Sequence, residues 1–169
     1  MSPGKEQQGS SSDFSRVKLL ALDVDGVLTD GGLYYTEAGE EIKKFNVKDG
    51  LGLKLLMASG IEVALISASS SQATLHRAKK LGITHVFTGV DDKLKTLETL
   101  CQMLQLDLPD VAYMGDDRID MAVLEAVGLP ITVADATAEA KACAIYITEK
   151  GGGQGAVREV CDLILRHCS

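Results

Sequence analysis

A doubly wound α/β fold, one parallel sheet covered by helices on both faces, is the architecture this 169-residue chain predicts. Three observations carry that expectation. Short apolar runs recur from residue 17 onward, several apolar on both faces, as parallel strands buried between two helix layers must be. Helical patterns separate those runs, and right-handed crossovers turn such a βαβ rhythm into one sheet. Polar residues, many of them acidic, follow several of the runs at the strand ends where open α/β sheets bind their ligands.

Residues 1–15, MSPGKEQQGSSSDFS, are rich in Ser, Gly and Gln and show no period, so they read as a disordered tail. Residues 16–169 read as a single domain, long enough to bury a sizeable core. Strands are expected at 17–22, 62–66, 85–87, 111–114, 131–133 and 145–147. The helices between them begin near Gly50, Ser71, Lys93, Asp117, Ala138 and Gly155. One segment breaks the rhythm: LYYTEAGEEIKKFNV alternates with period two on either side of EAGE, which predicts a β-hairpin over 33–36 and 41–47.

Composition narrows the function. The chain is 46% hydrophobic, yet no apolar run approaches the roughly 20 residues of a membrane span, and no signal-peptide pattern opens it. A soluble cytoplasmic protein is expected, with no membrane partner. A formal net charge of −7 disfavours nucleic acid but leaves room for a small anionic substrate, because a bound divalent cation and a few lysines reverse the field inside one cleft. The four cysteines lack CxxC spacing and read as plain thiols rather than zinc ligands or disulfides.

The strand ends bring polar groups from four chain segments to one rim. The first strand runs into Asp23 and Asp25 of LDVDGVLTD, the second into Ser67, and the fourth into MGDDRID with Asp116, Asp117 and Asp120; Lys93 opens the helix after the third. Each residue alone has an ordinary explanation: Ser67 and Asp117 as helix caps, Asp120 in a first turn favoured by the helix dipole, Lys93 as solvated surface. Independent caps give no reason for a lysine and three acidic positions to gather at one sheet edge. A divalent cation gives one, since hard cations such as Mg²⁺ take carboxylate ligands and turn repulsion into coordination. Asp117 and Asp120, three residues apart, read equally as orienting groups for Lys93 or metal-bound water and as caps. A receiver domain would place its phosphorylated aspartate on a later strand than its acidic pair, and a dinucleotide-binding module would need GxGxxG after the first strand; neither pattern is present.

The motifs DVDGVLTD, Ser67, Lys93 in DDKL and GDDRID, in this order, resemble the four motifs of the haloacid dehalogenase (HAD)-like phosphohydrolases. Within that superfamily, GEEIKKFNVKDGLGLKLL, LGITHVF, VAYMGDDRID, VGLPITVADA and GGGQGAVREVCDLIL are similar to the 3-deoxy-D-manno-octulosonate (KDO) 8-phosphate phosphatases across residues 17–166. Related enzymes act on phosphorylated nonulosonates. The resemblance implies a Mg²⁺-dependent phosphatase without a cap domain, assembled as a homotetramer through its protruding hairpin. Asp23 would be the nucleophile and Asp25 the general acid and base. Mg²⁺ would be held by Asp23, the Asp25 backbone carbonyl and Asp116, while Ser67 and Lys93 would bind the phosphoryl group. The sugar acid would meet Asn46, Val47, Lys48, Asp49, Gly50, Lys54 and Arg77. The GGGQGAV segment would be a flexible loop or reach toward a neighbour's site. Two positions depart from the pattern: Ser69 and Gln154 stand where the family carries cations, although the phosphoryl motifs are intact. A catalytically silent HAD-like module is the rival of a different class, and the intact Asp23, Asp25, Lys93 and Asp116 argue against it.

Overall fold

The computed structural model describes residues 11–168. Six short strands form one all-parallel sheet in the order β5-β4-β1-β6-β7-β8: β1 (Leu19–Leu22), β4 (Glu62–Ile66), β5 (His85–Phe87), β6 (Val111–Met114), β7 (Leu129–Thr132) and β8 (Tyr146–Ile147). β1 lies at the centre. Its Leu20 and Leu22 pack into one apolar layer and its Leu19 and Ala21 into the other, which is why the sequence shows no hydrophobic alternation there.

Helices α2 (Val47–Ala58), α3 (Gln72–Leu81) and α7 (Ala156–His167) cover the first face, and α4 (Lys93–Leu104), α5 (Met121–Ala126) and α6 (Ala138–Cys143) the second. In α7 the buried set Val157, Val160, Cys161 and Ile164 has the i, i+3, i+4, i+7 spacing of a helix with one apolar stripe. Leu97, Leu100 and Cys101 do the same for α4. The doubly wound parallel sheet is the architecture the sequence predicts, and no cap domain interrupts it among the described residues.

Three boundaries differ from the sequence reading. The hairpin is real but short: β2 (Tyr34–Tyr35) pairs antiparallel with β3 (Glu41–Ile42) and pairing stops there, rather than running to residue 47. The chain leaves the strand early because Asn46 caps α2, its side chain accepting from Lys48 N at 2.8 Å, so the helix starts three residues before Gly50. The acidic segment after β6 first forms a 3₁₀ turn, Arg118–Asp120, and α5 begins only at Met121.

A further correction concerns the amino-terminal segment. Residues 11–15 of the expected tail form a helix, α1 (Ser11–Ser15), while residues 1–10 lie outside the described part. Phe14 explains the helix's docking: it is 2% exposed, its ring sits edge-on to Tyr146 at 5.6 Å, and His167 lies 6.0 Å away. One aromatic among polar neighbours carries no periodic signal, so the sequence pattern missed it. Truncating a buried phenylalanine costs about 3–5 kcal/mol. Phe14→Ala should therefore lower Tm by roughly 6–20 °C, at about 2–4 °C per kcal/mol for this size; a melting curve within a degree or two of the parent would mean α1 contributes nothing.

Candidate active site

The site is assembled at the carboxyl ends of β1, β4 and β6. The β1 ladder continues one residue further, Asp23 N donating to Met114 O at 2.9 Å, and the chain then turns sharply: the N–H groups of Val27, Leu28 and Thr29 all converge on Val24 O. The Thr29 hydroxyl accepts from Gly26 and Gly31 N, each at 3.2 Å, and so ties the DVDGVLTD loop to itself. Gly26 has φ +89° and lies so close to the Asp116 side chain that a Cβ would collide with it. Only glycine lets the loop approach the acidic segment here.

Lys93, the first residue of α4, reaches between the two acidic segments. Its ammonium donates to Asp23 Oδ1 at 2.8 Å and to Asp120 Oδ1 at 2.9 Å, and all three side chains are almost fully buried. Asp120 is saturated further, by the Tyr113 hydroxyl at 2.5 Å and by the backbone N–H groups of Asp116 and Asp117 at 3.0 and 3.4 Å. Burial and the nearby Asp120 push the Asp23 carboxyl well above its usual range, and burial raises Asp116 to about 6. Burial also disfavours the Lys93 charge, but Asp23 and Asp120 outweigh it and hold the ammonium's pKa above normal. Tyr113 is likewise raised, by burial and then by Asp120.

Three carboxylates around a single ammonium leave two negative charges uncompensated. Oxygens of Asp23, Asp116 and Asp120 lie within 4.8 Å of one another, a grouping fit for a hard divalent cation. Asp120 spends both oxygens on Lys93, Tyr113 and the backbone. Asp23 and Asp116 therefore retain the donor capacity, and the Asp25 backbone carbonyl accepts no hydrogen bond among the described residues. The expected Mg²⁺ ligands thus fit the donor set, with Asp120 as the group that anchors Lys93 rather than a ligand.

A cavity of about 370 Å³ opens over this cluster, walled by Asp23, Asp25, Asp116, Asp117, Ser69 and Ile119 among others. Ser67 is buried just behind it, its hydroxyl accepting from Ser69 N at 3.2 Å. Asp117 does not touch Lys93: its exposed side chain caps the 3₁₀ turn, accepting from Arg118 N at 2.7 Å.

The expected sugar contacts fall elsewhere in the protomer. Val47, Gly50, Lys54 and Arg77 line a separate cavity of about 230 Å³ together with Leu51, Lys80 and Leu81. Asn46 is the α2 cap, Lys48 is exposed beside it, and Asp49 is 1% exposed, accepting from Arg158 N at 2.9 Å in the first turn of α7. The glycine segment is tied down within its own chain. Gly153 N donates to Val27 O at 3.0 Å, Asn46 Nδ2 donates to Gly153 O, and Gly152 packs against the Gly26 carbonyl where no Cβ fits.

Two residues escaped the sequence reading. Lys43 has a fully buried side chain and its ammonium meets Asp25 Oδ1 at 2.5 Å. Tyr113 looked like core, which it is, apart from its hydroxyl. The pairings span 18 and 7 residues and each joins two different segments, so no helix or strand period marks them.

A haloacid dehalogenase-like hydrolase model matches residues 82–159. The KDO 8-phosphate phosphatase KdsC of Yersinia pestis is 48% identical over 151 residues, covering 89% of this chain and 81% of that protein. The chain belongs to the KDO 8-phosphate phosphatase family of HAD-like hydrolases. The crystal structure of the family member from Moraxella catarrhalis, in complex with a magnesium ion, a phosphate ion and a KDO molecule, superposes with a TM-score of 0.91 at 45% identity, covering 94% of this chain and 91% of that one. A cobalt-bound member from Haemophilus influenzae gives 0.88 at 39% identity, covering 92% and 91%. The family's cofactor is thus a divalent cation, and the acidic cluster described above supplies a donor set for it.

At about a hundredfold excess over its dissociation constant, Mg²⁺ should stabilise the fold by about 2.7 kcal/mol. That raises Tm by roughly 5–11 °C. Asp116→Asn should abolish the shift while the metal-free protein melts no lower than its parent, since one buried charge is gone. An undiminished shift in that variant would remove Asp116 from the ion site.

Proposed function

We propose that this chain is a Mg²⁺-dependent phosphomonoesterase that hydrolyses KDO 8-phosphate through an aspartyl-phosphate on Asp23. The observation that carries the reading is the buried Asp23–Lys93–Asp120 chain opening onto a cavity shared with Asp25 and Asp116, in a chain 48% identical to a KDO 8-phosphate phosphatase.

The protein's own groups account for the chemistry. Asp23 Oδ1 is held by Lys93 and by Val24 N at 2.8 Å, so Oδ2 is the oxygen left to attack phosphorus in line. The Lys93 ammonium lies where charge builds on the nucleophile and on the phosphoryl oxygens, and it is preorganised there by Asp120. Ser67 completes the phosphoryl cradle, whereas the N–H groups of Gly26, Val27 and Leu28 are spent within the loop on the Thr29 hydroxyl and Val24 O. Asp25 gives its proton to the departing sugar oxygen and then takes one from the water that cleaves the acyl phosphate. Asp23, Asp116 and the Asp25 carbonyl would hold Mg²⁺, which would supply the positive charge a carboxylate needs to approach a phosphate dianion. Asp117 caps its turn and serves the site only through that turn.

The reading extends to the assembly. Among the described residues the acidic cavity has no lysine or arginine in its walls, whereas a sugar acid phosphate carries a carboxylate that a cation would meet. The hairpin exposes Leu33, Tyr34, Tyr35 and Ile42, and two-residue strands are marginal alone. A homotetramer built on the hairpins, in which one protomer's Lys54 and Arg77 face another's acidic cavity, answers both facts. Residues 16–169, together with α1, act as one catalytic unit in the cytoplasm.

The test is a steady-state panel. Kcat/KM should be highest for KDO 8-phosphate, lower for nonulosonate 9-phosphates, lowest for simple sugar phosphates, and EDTA should remove all turnover. A nonulosonate 9-phosphate at the head of the ranking would reassign the substrate, a result the neutral Ser69 in the cavity wall would explain. Asp23→Asn should abolish turnover, and Lys93→Ala should cost at least about 10²–10³ in rate. No hydrolysis of any ester, p-nitrophenyl phosphate included, would leave a silent HAD-like module.

A further inference from the structure

The two carboxylates of the DVD sequence each hold a buried lysine, and the two lysines come from different parts of the fold. Asp23 is served by Lys93 of α4, whereas Asp25 is served by Lys43, one residue beyond β3 of the hairpin. Lys43's side chain has no solvent exposure; its ammonium reaches Asp25 Oδ1, and Glu41 lies 3.6 Å away on its other side. An ammonium buried this deeply is costly unless it stays paired, so the hairpin is pinned to the catalytic loop at this contact. Asp25 itself is part-exposed and forms part of the cavity wall, and its Oδ2 accepts no hydrogen bond among the described residues. One oxygen is tied down and the other is left without a protein donor, on a residue of the cavity wall.

We propose that Lys43 is the positioning residue for the proton donor: the hairpin's ammonium fixes the Asp25 carboxyl through Oδ1 so that Oδ2 meets the leaving-group oxygen. In the step concerned, Asp23 forms its bond to phosphorus as the ester P–O bond breaks. The bond's electron pair goes to the sugar oxygen, which takes the proton from Asp25. Lys43 touches neither substrate nor metal and acts only through Asp25. Its contribution is orientation, and misplacing a catalytic group by about 1 Å costs about 10²-fold. The inference rests on Asp25 being the proton donor, as proposed above.

The experiment compares two esters. The best alkyl sugar phosphate of the panel needs a proton on its leaving oxygen, whereas p-nitrophenolate departs as a stable anion and does not. Asp25→Asn should lower kcat/KM about 10²–10⁴-fold on the alkyl ester and far less on p-nitrophenyl phosphate, the range general acid catalysis supplies. Lys43→Met should show the same selectivity at about 10–100-fold, without changing the Mg²⁺-induced Tm shift, and should add nothing in the Asp25→Asn background. If the methionine variant does not fold, Lys43→Gln, which keeps a donor of similar reach, should show the same selective loss, reduced to about 3–10-fold. Selective loss in Asp25→Asn with equal or no loss in the Lys43 variants overturns the role of Lys43 and leaves the phosphatase reading standing. Equal loss on both esters in Asp25→Asn overturns the proton-donor assignment itself, and the role of Lys43 with it.

Discussion

The whole site depends on one buried cation set among too many anions. Lys93 joins Asp23 to Asp120 inside the protein, where an unpaired charge would cost several kcal/mol and the loss of either partner about 3–5 kcal/mol. With Asp116 alongside, the cluster still lacks two positive charges, and this shortage is what makes it a receptor for a divalent ion. Asp120 illustrates the division of labour. It lies close enough to the others to be a ligand by distance alone, yet its oxygens are spent on Lys93, Tyr113 and the backbone. Its role is to hold the lysine still so that Asp23 and Asp116 face the ion.

The fold delivers these groups because β1 sits between β4 and β6 in a parallel sheet. All three strands end at the same edge, so Asp23, Ser67 and Asp116 become neighbours although far apart in the chain. Close backbone approach does the rest. Gly26 lets the DVDGVLTD loop come up against Asp116, and Gly152 lets the β8–α7 connection pack against that loop. The DVDGVLTD loop is thus held by its own Thr29 hydroxyl, by the glycine segment and, through Asp25, by the hairpin.

Most elements were legible because they are periodic. The strands at 62–66, 85–87 and 111–114 and the α6 start at Ala138 coincide with the structure, each bounded by a change of pattern. What the pattern lost is what a single side chain decides. Phe14 turns the last residues of a polar tail into a docked helix, and Asn46 ends the hairpin strand by capping α2. Asp23, Asp25, Ser67 and Lys93 could be assigned to one rim because strand ends can be placed on a sequence. Lys43 and Tyr113 could not, since a charge on a short hairpin and a tyrosine in a core strand look ordinary until their partners are known.

By itself the sequence determined the parallel sheet, the acidic rim and the phosphatase motifs, because periodicity and strand-end chemistry are local properties. Only the tertiary structure decided how charge is shared: which carboxylate Lys93 saturates and which ones remain for an ion, and that Asp25 has a lysine of its own. It also placed Lys54 and Arg77 in a cavity apart from Asp23. These are long-range pairings, and a buried ionic group takes its partner from whatever the packing brings within 3 Å or so, which no spacing along the chain records.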